Sequence, residues 1–177
     1  MPHDSGRIRL RDLIPADADV VDAWNADSER SAFNDFGDPP SPMPREILAS
    51  GPLRNEHNGM LMVETAAGVP IGTVGWHKVR YGPNAESDAW NIGIELRPEA
   101  RGKGFGTEAQ AELARYLFEA TDVNRVEAST DVENLAEQRS LEKAGYRREG
   151  IQRRSQFRAG SFHDLVTYAR LRDDPET

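Results

Sequence analysis

The chain of 177 residues predicts a single α+β domain with a central, mostly antiparallel mixed sheet flanked by helices, and three observations carry that expectation. Two pairs of extended segments, GMLMVET with VPIGTVGWHKV and GYRREGIQRRSQF with SFHDLVTYARL, are each joined by a short turn and read as antiparallel hairpins. Between them a strand, a glycine-rich loop, a helix and another strand follow one another from Asp88 to Asp131, an order that requires a right-handed parallel crossover. Hydrophobic content of 37%, with no repeat, low-complexity tract or linker, suits one core-bearing domain over residues 1–177.

Each element has its own signal. IRLRDL reads as the opening strand, and ADADVVDAWNADSE as a helix with Ala18, Val21 and Trp24 at helical spacing. The proline-rich DFGDPPSPMP breaks that helix, and REILAS supports a short one after it. AAG closes the first hairpin, and RYGPNAESD is an exposed turn. In the next strand Trp90, Ile92, Ile94 and Leu96 fall on one face and Asn91, Gly93 and Glu95 on the other, until Pro98 stops the pairing. A helix from about Gly106 carries Ala109, Leu113, Leu117 and Ala120 as a buried stripe. VNRVEASTD is a strand, a second helix begins near Asn134, and the last hairpin turns around Arg158, Ala159 and Gly160.

A formal net charge of -8 and a pI near 5.1 argue against a nucleic-acid partner; the acidity suits a cationic ligand, or serves solubility alone. With no cysteine, disulfides, thiolate-ligated zinc and thiol nucleophiles are excluded, and no metal is expected. No apolar run approaches the roughly 20 residues of a membrane span, and MPHDSGRIRL lacks an apolar targeting core, so a cytoplasmic protein with no membrane partner is expected.

The segment from Arg101 to Thr107 carries the chemistry. A helix start leaves about four N–H groups without internal partners and roughly half a positive charge, and glycines let an anion approach that backbone. Arg101 and Lys103 add full charges, so a strongly anionic ligand is expected. Three glycine-loop chemistries compete for this segment. The GxxxxGK motif with a following Ser or Thr is absent. Gly104, Gly106 and Ala109 satisfy the dinucleotide pattern GxGxxA, with Asp131 about twenty residues on. That fold would need further strand and helix alternation, whereas the chain after residue 150 reads as a hairpin. The third chemistry is a pyrophosphate cradle for coenzyme A.

Arg101, Gly104 and Gly106 also fit the pattern that marks the GNAT superfamily of acetyl-CoA-dependent N-acetyltransferases. IGIELRPEARGKGFGTEA followed by NRVEASTDVENLAEQRSLEKAGYRREG resembles its ribosomal-protein N-terminal acetyltransferase branch, and the likeness extends over nearly the whole chain. The resemblance implies the GNAT fold, in which the parallel strand pair splays apart and pantetheine inserts as a pseudo-strand. It implies acetyl-CoA as cosubstrate, met by Leu96 and Arg97 at the strand end, by Arg101, Gly102, Lys103, Gly104, Phe105, Gly106 and Thr107 in the loop, and by Asn134 and Arg139 on the following helix. Asn134 has a second reading as a helix cap with Glu137 closing a capping box, and Arg139 and Lys143 project from that helix either toward a coenzyme A phosphate or as exposed charges with no specific role. A homodimer is common in similar proteins.

Transfer to a primary amine needs a proton acceptor, because the amine is mostly protonated at neutral pH. Glu95 is the candidate base; the alternative is a solvated or ion-paired strand-end glutamate. The chain departs from the branch at Asn91, Glu137 and Leu141, where relatives carry a glutamate, a serine and, in many superfamily members, a tyrosine. Ser140 and Tyr146 stand as the hydroxyl candidates for the acid. Without cysteine, direct attack in a ternary complex is expected. The acceptor is a protein or peptide N-terminus, a polyamine or an amino-bearing antibiotic. Two rivals remain, a small NAD(P)-binding oxidoreductase and a catalytically silent acyl-CoA sensor.

Overall fold

A computed structural model describes residues 3–4, 6–26, 32–34, 36–37 and 42–175. Its eight strands are β1 (His3–Asp4), β2 (Ile8–Asp12), β3 (Asn58–Thr65), β4 (Pro70–Arg80), β5 (Asp88–Leu96), β6 (Arg125–Asp131), β7 (Arg147–Arg158) and β8 (Ser161–Leu171). They form one sheet in the order β1-β2-β3-β4-β5-β6-β8-β7. Its neighbouring strands are antiparallel except β5 and β6. The helices are α1 (Asp17–Asn25), α2 (Arg45–Ser50), α3 (Phe105–Ala120) and α4 (Leu135–Lys143). The expected end of the first helix at 27–29 and positions 35 and 38–41 of the proline-rich stretch lie outside the described residues.

Strand alternation sorts the core into two layers. Leu61 and Val63 of β3 join the large cluster formed with α3 and α4, which includes Ile8, Trp76, Trp90, Leu113, Leu117, Leu141 and Tyr168. Met62, between them, points the other way into a smaller cluster with Leu13, Ala18, Val21, Met43 and Leu48. Trp24 is only partly buried there, so the α1 stripe fades along the helix.

The α3 stripe differs from expectation at its end. Ala109, Leu113 and Leu117 are buried, but Ala120 is exposed, because the last turn runs beyond its packing partners. Gln110, Glu112 and Ala114 are buried instead. The turn 80–88 also ends sooner than expected: Asp88 is buried as the first residue of β5, ion-paired to Lys78 and Arg80.

What positions the site is the behaviour of β5. On one side it pairs with β4 along its length, from Arg80↔Asp88 to Gly72↔Leu96. On the other, the parallel ladder with β6 closes only at Trp90↔Val126 and Asn91↔Glu127. Beyond Asn91 the two strands part, and the opening becomes the mouth of a cleft.

Candidate active site

The cleft has a volume of about 440 Å³, within the range of small-molecule sites. One wall is β5 from Ile92 to Leu96, the other is Ala128, Ser129 and Thr130 of β6, and the loop before α3 and the start of α4 close its ends. Gly102 and Gly104 have φ of 71° and 85°, left-handed backbone that side chains rarely adopt. Gly104 is the N-cap of α3 and supplies no side-chain acceptor, so the first helical N–H groups keep their capacity for an anion. Arg101 Nε donates to Leu96 O at 2.9 Å, and Arg7 donates to Lys103 O at 3.2 Å while pairing with Glu108. The loop is thus held in shape at both its base and its tip.

From this loop Arg101, Gly102, Gly104, Gly106 and Thr107 line the cleft, joined by Glu95 and Leu96 of β5. Asn134, Arg139 and Ser140 line it from α4. Four expected residues do not. Arg97 turns to a neighbouring groove, with its guanidinium 5.6 Å from the Trp24 ring and 3.2 Å from Glu99. Lys103 contributes its carbonyl to Arg7, and Phe105 lies under the same guanidinium at 5.3 Å. Tyr146 is set in the core behind the cleft, its buried hydroxyl without a hydrogen-bond partner among the described residues, and burial drives its pKa strongly upward. A hydroxyl so placed holds its proton away from the cleft wall.

Asn134 caps α4: its Oδ1 accepts from Glu137 N at 3.3 Å, while its Nδ2 donates to Thr130 Oγ1 at 3.1 Å. The expected capping box does not close, because Asn134 N is taken by Asp131 O and the Glu137 carboxyl accepts from Gln110 instead. Ser140 Oγ donates to Gln110 Oε1 at 3.2 Å and lies 3.2 Å from Thr107 Oγ1. A polar chain therefore runs from the α3 start to the α4 start. Burial pushes the Glu137 carboxyl up to about 7, against the smaller opposing effect of the Gln110 hydrogen bond.

Glu95 occupies a junction. It borders both the main cleft and the groove formed by Trp24, Thr73, Arg97 and Glu99 beside α1. Asp131, by contrast, is committed elsewhere: buried, it pairs with Arg158 and His163 and accepts from Glu133 N. With Asp131 engaged and no doubly wound sheet, the dinucleotide reading fails.

Sequence reasoning missed Gln110, Asn34 and Gly93 as cleft or network residues. Gln110 carried a readable signal, a polar residue beside Ala109 on the packed face of α3. Asn34 sits in a short turn with no periodicity to place it.

A sheet opened between parallel strands, with the uncapped N–H groups of a helix start at the opening, suits the long anionic coenzyme of an acyl-coenzyme A-dependent transferase. The chain belongs to the acetyltransferase (GNAT) domain family, whose pattern matches residues 7–147, and it is an acetyl-CoA-dependent acyltransferase. An uncharacterized N-acetyltransferase, p20, of Bacillus licheniformis is 25% identical over 170 residues, spanning 94% of this chain and 93% of that protein. The fold is shared with a spermidine N-acetyltransferase from Vibrio cholerae solved with CoA and spermine (TM-score 0.79, 21% identity, 96% of this chain and 98% of that one). It is shared equally with a ribosomal-protein-S5-alanine acetyltransferase from Vibrio fischeri (TM-score 0.77, 17% identity, each chain covered completely at 100%).

Proposed function

We propose that the protein transfers acetyl from acetyl-CoA to a primary amine by direct attack within a ternary complex. The observation that carries this reading is the position of Glu95 between two cavities, one backed by the Arg101–Thr107 loop and the other beside α1. The loop amides with Arg101 suit the pyrophosphate, Asn134 and the unpaired edge of β5 suit pantetheine, and Arg139 and Lys143 suit a further phosphate. Acetyl-CoA supplies the activated acyl group. Glu95 takes a proton from the acceptor's ammonium, the freed nitrogen attacks the carbonyl carbon, and N–H groups of β5 past Asn91 face the charge that grows on oxygen.

The acceptor entering beside α1 meets Glu95 in a groove whose Trp24 ring and Glu99 are already engaged by Arg97, so Glu95 is the carboxylate offered to an incoming amine. A polyamine and a protein N-terminus both supply such an amine, and the enzymes sharing the fold act, by their names, on one or the other. A cytoplasmic homodimer completes the proposal, tested by fractionation and sedimentation.

Thiol release from acetyl-CoA across a panel of polyamines, N-terminal peptides and aminoglycosides tests the reading, with mass analysis of the product. A gain of one acetyl group on an amine nitrogen is expected. Acetyl-CoA binding with no turnover on any amine would make the chain a sensor.

A further inference from the structure

Glu137 has no role in the scheme above, yet it sits on the cleft wall with Asn134 and Ser140. Its carboxyl receives a side-chain hydrogen bond from Gln110, which is itself only 1% exposed. The Gln110 carbonyl is occupied by Ser140 Oγ, so its amide nitrogen is directed at Glu137 Oε1. With Oε1 engaged as acceptor, a carboxyl proton resides on Oε2.

Among the described residues no ion pair joins Glu137, and burial leaves its carboxyl titrating at about 7. The ionisable groups sharing the cleft are Glu95 from β5, Arg101 from the loop, and Arg139 and Lys143 from α4. Tyr146, whose hydroxyl feels the Glu137 charge, and Arg170 stand behind the wall. A carboxyl raised toward neutrality holds a proton it can give up, whereas a serine or a buried tyrosine hydroxyl holds its proton far more tightly.

Resting on the acetyl-transfer reading, we propose that Glu137 is a catalytic residue that protonates the departing sulfur. The new carbon–nitrogen bond forms with the amine's electron pair, the carbon–sulfur bond breaks with its pair passing to sulfur, and the Glu137 proton moves to sulfur. The products are the amide, the free thiol and the Glu137 carboxylate, which regains a proton from solvent. Transfer to a thiolate, whose conjugate acid has a pKa of about 8.5, runs downhill.

The test pairs Glu137→Gln, which retains a side chain able to meet Gln110, with NMR titration of carboxyl-labelled wild-type enzyme. The variant is expected to lose about a hundredfold in kcat and to lose the limb of the rate profile centred near pH 7, while its Kd for acetyl-CoA changes by less than about threefold. The wild-type Glu137 resonance is expected to titrate near 7 rather than near the ordinary 4.5. An unchanged kcat and pH profile in a variant that binds acetyl-CoA normally overturns the inference alone, as does a resonance titrating near 4.5. Failure of wild-type enzyme to bind acetyl-CoA overturns the cofactor reading together with it. If the variant misfolds, the wild-type titration decides.

Discussion

Two regions of the molecule withdraw carboxylates from water, almost fully at Asp17 and Glu64 and in part at Glu137, and treat them in opposite ways. Between β2, β3 and α1, Asp17 and Glu64 are almost wholly enclosed, but Arg11 reaches both and Arg9 adds a second cation to Glu64. Burial works to raise both carboxyls, yet the guanidinium bonds, with the Ile14 N–H at Asp17, outweigh it and hold both below the ordinary range. At the mouth of α4, Glu137 meets a neutral amide instead, and burial wins. Desolvation is common to the two sites; a cation decides between a structural charge and a proton store.

The sharpest way to sharpen that contrast is to damage the cleft without touching the cluster. Gly104→Glu places a carboxylate and a side chain where a β-carbon would already stand 3.0 Å from Arg7 Nη2, on backbone with φ of 85°. Acetyl-CoA affinity measured by calorimetry is expected to fall about a thousandfold or more, since bulk and like charge act together. The cooperative unfolding transition should persist.

The converse is Arg11→Met, which strips the shared cation from Asp17 and Glu64. About 3 kcal/mol of stability is expected to disappear in urea unfolding at pH 7, with Kd for acetyl-CoA unaltered in the folded fraction. Equal stability would mean that Arg9 and the Ile14 N–H suffice, and the cluster would cease to contrast with the cleft.

Glu95→Gln should reduce kcat about a hundredfold at unchanged acetyl-CoA affinity. Wild-type rates at every pH would remove Glu95 as the base and leave the amine to lose its proton to water.

The smallest effect is one on stability. Below about pH 4.5 Glu137 is neutral in both states; as pH rises toward about 7 the unfolded chain ionises first, so folding stability is lost over that window. Glu137→Gln is therefore expected to stabilise the protein by roughly 2 kcal/mol at pH 8 and by almost nothing at pH 4, measured by thermal or urea melts. The cluster has the opposite sign: Asp17 and Glu64, held low in the folded state, stabilise it above the ordinary carboxylate range and lose that contribution as pH falls through their lowered values. A Glu137→Gln variant with wild-type stability at both pH values would erase the difference between the two regions.

The elements carried by strong periodicity or strong punctuation were legible in the sequence. REILAS forms α2 over the expected residues, and the crossover from β5 through α3 to β6 follows from its order of elements. The loop was legible because glycine and helix-start chemistry are local properties, and Arg101, Gly104 and Thr107 do line the cleft. What was not legible depends on residues distant in sequence. The Lys103 carbonyl and the Phe105 ring meet Arg7, a partner about a hundred positions earlier, and Glu137 leaves its expected cap for Gln110 on another helix. Ala120 obeys the helical period but outruns its packing surface, whose extent the period does not encode.

That dependence on Arg7 gives the amino-terminal edge an influence out of proportion to its place at the margin. The guanidinium that braces Lys103 O lies one residue before β2 and is more than half exposed. During synthesis it emerges long before the glycines it will hold, so the brace waits for its load. A fusion partner, or a protease cut, that displaces residue 7 would take the brace from the glycine loop before Phe105.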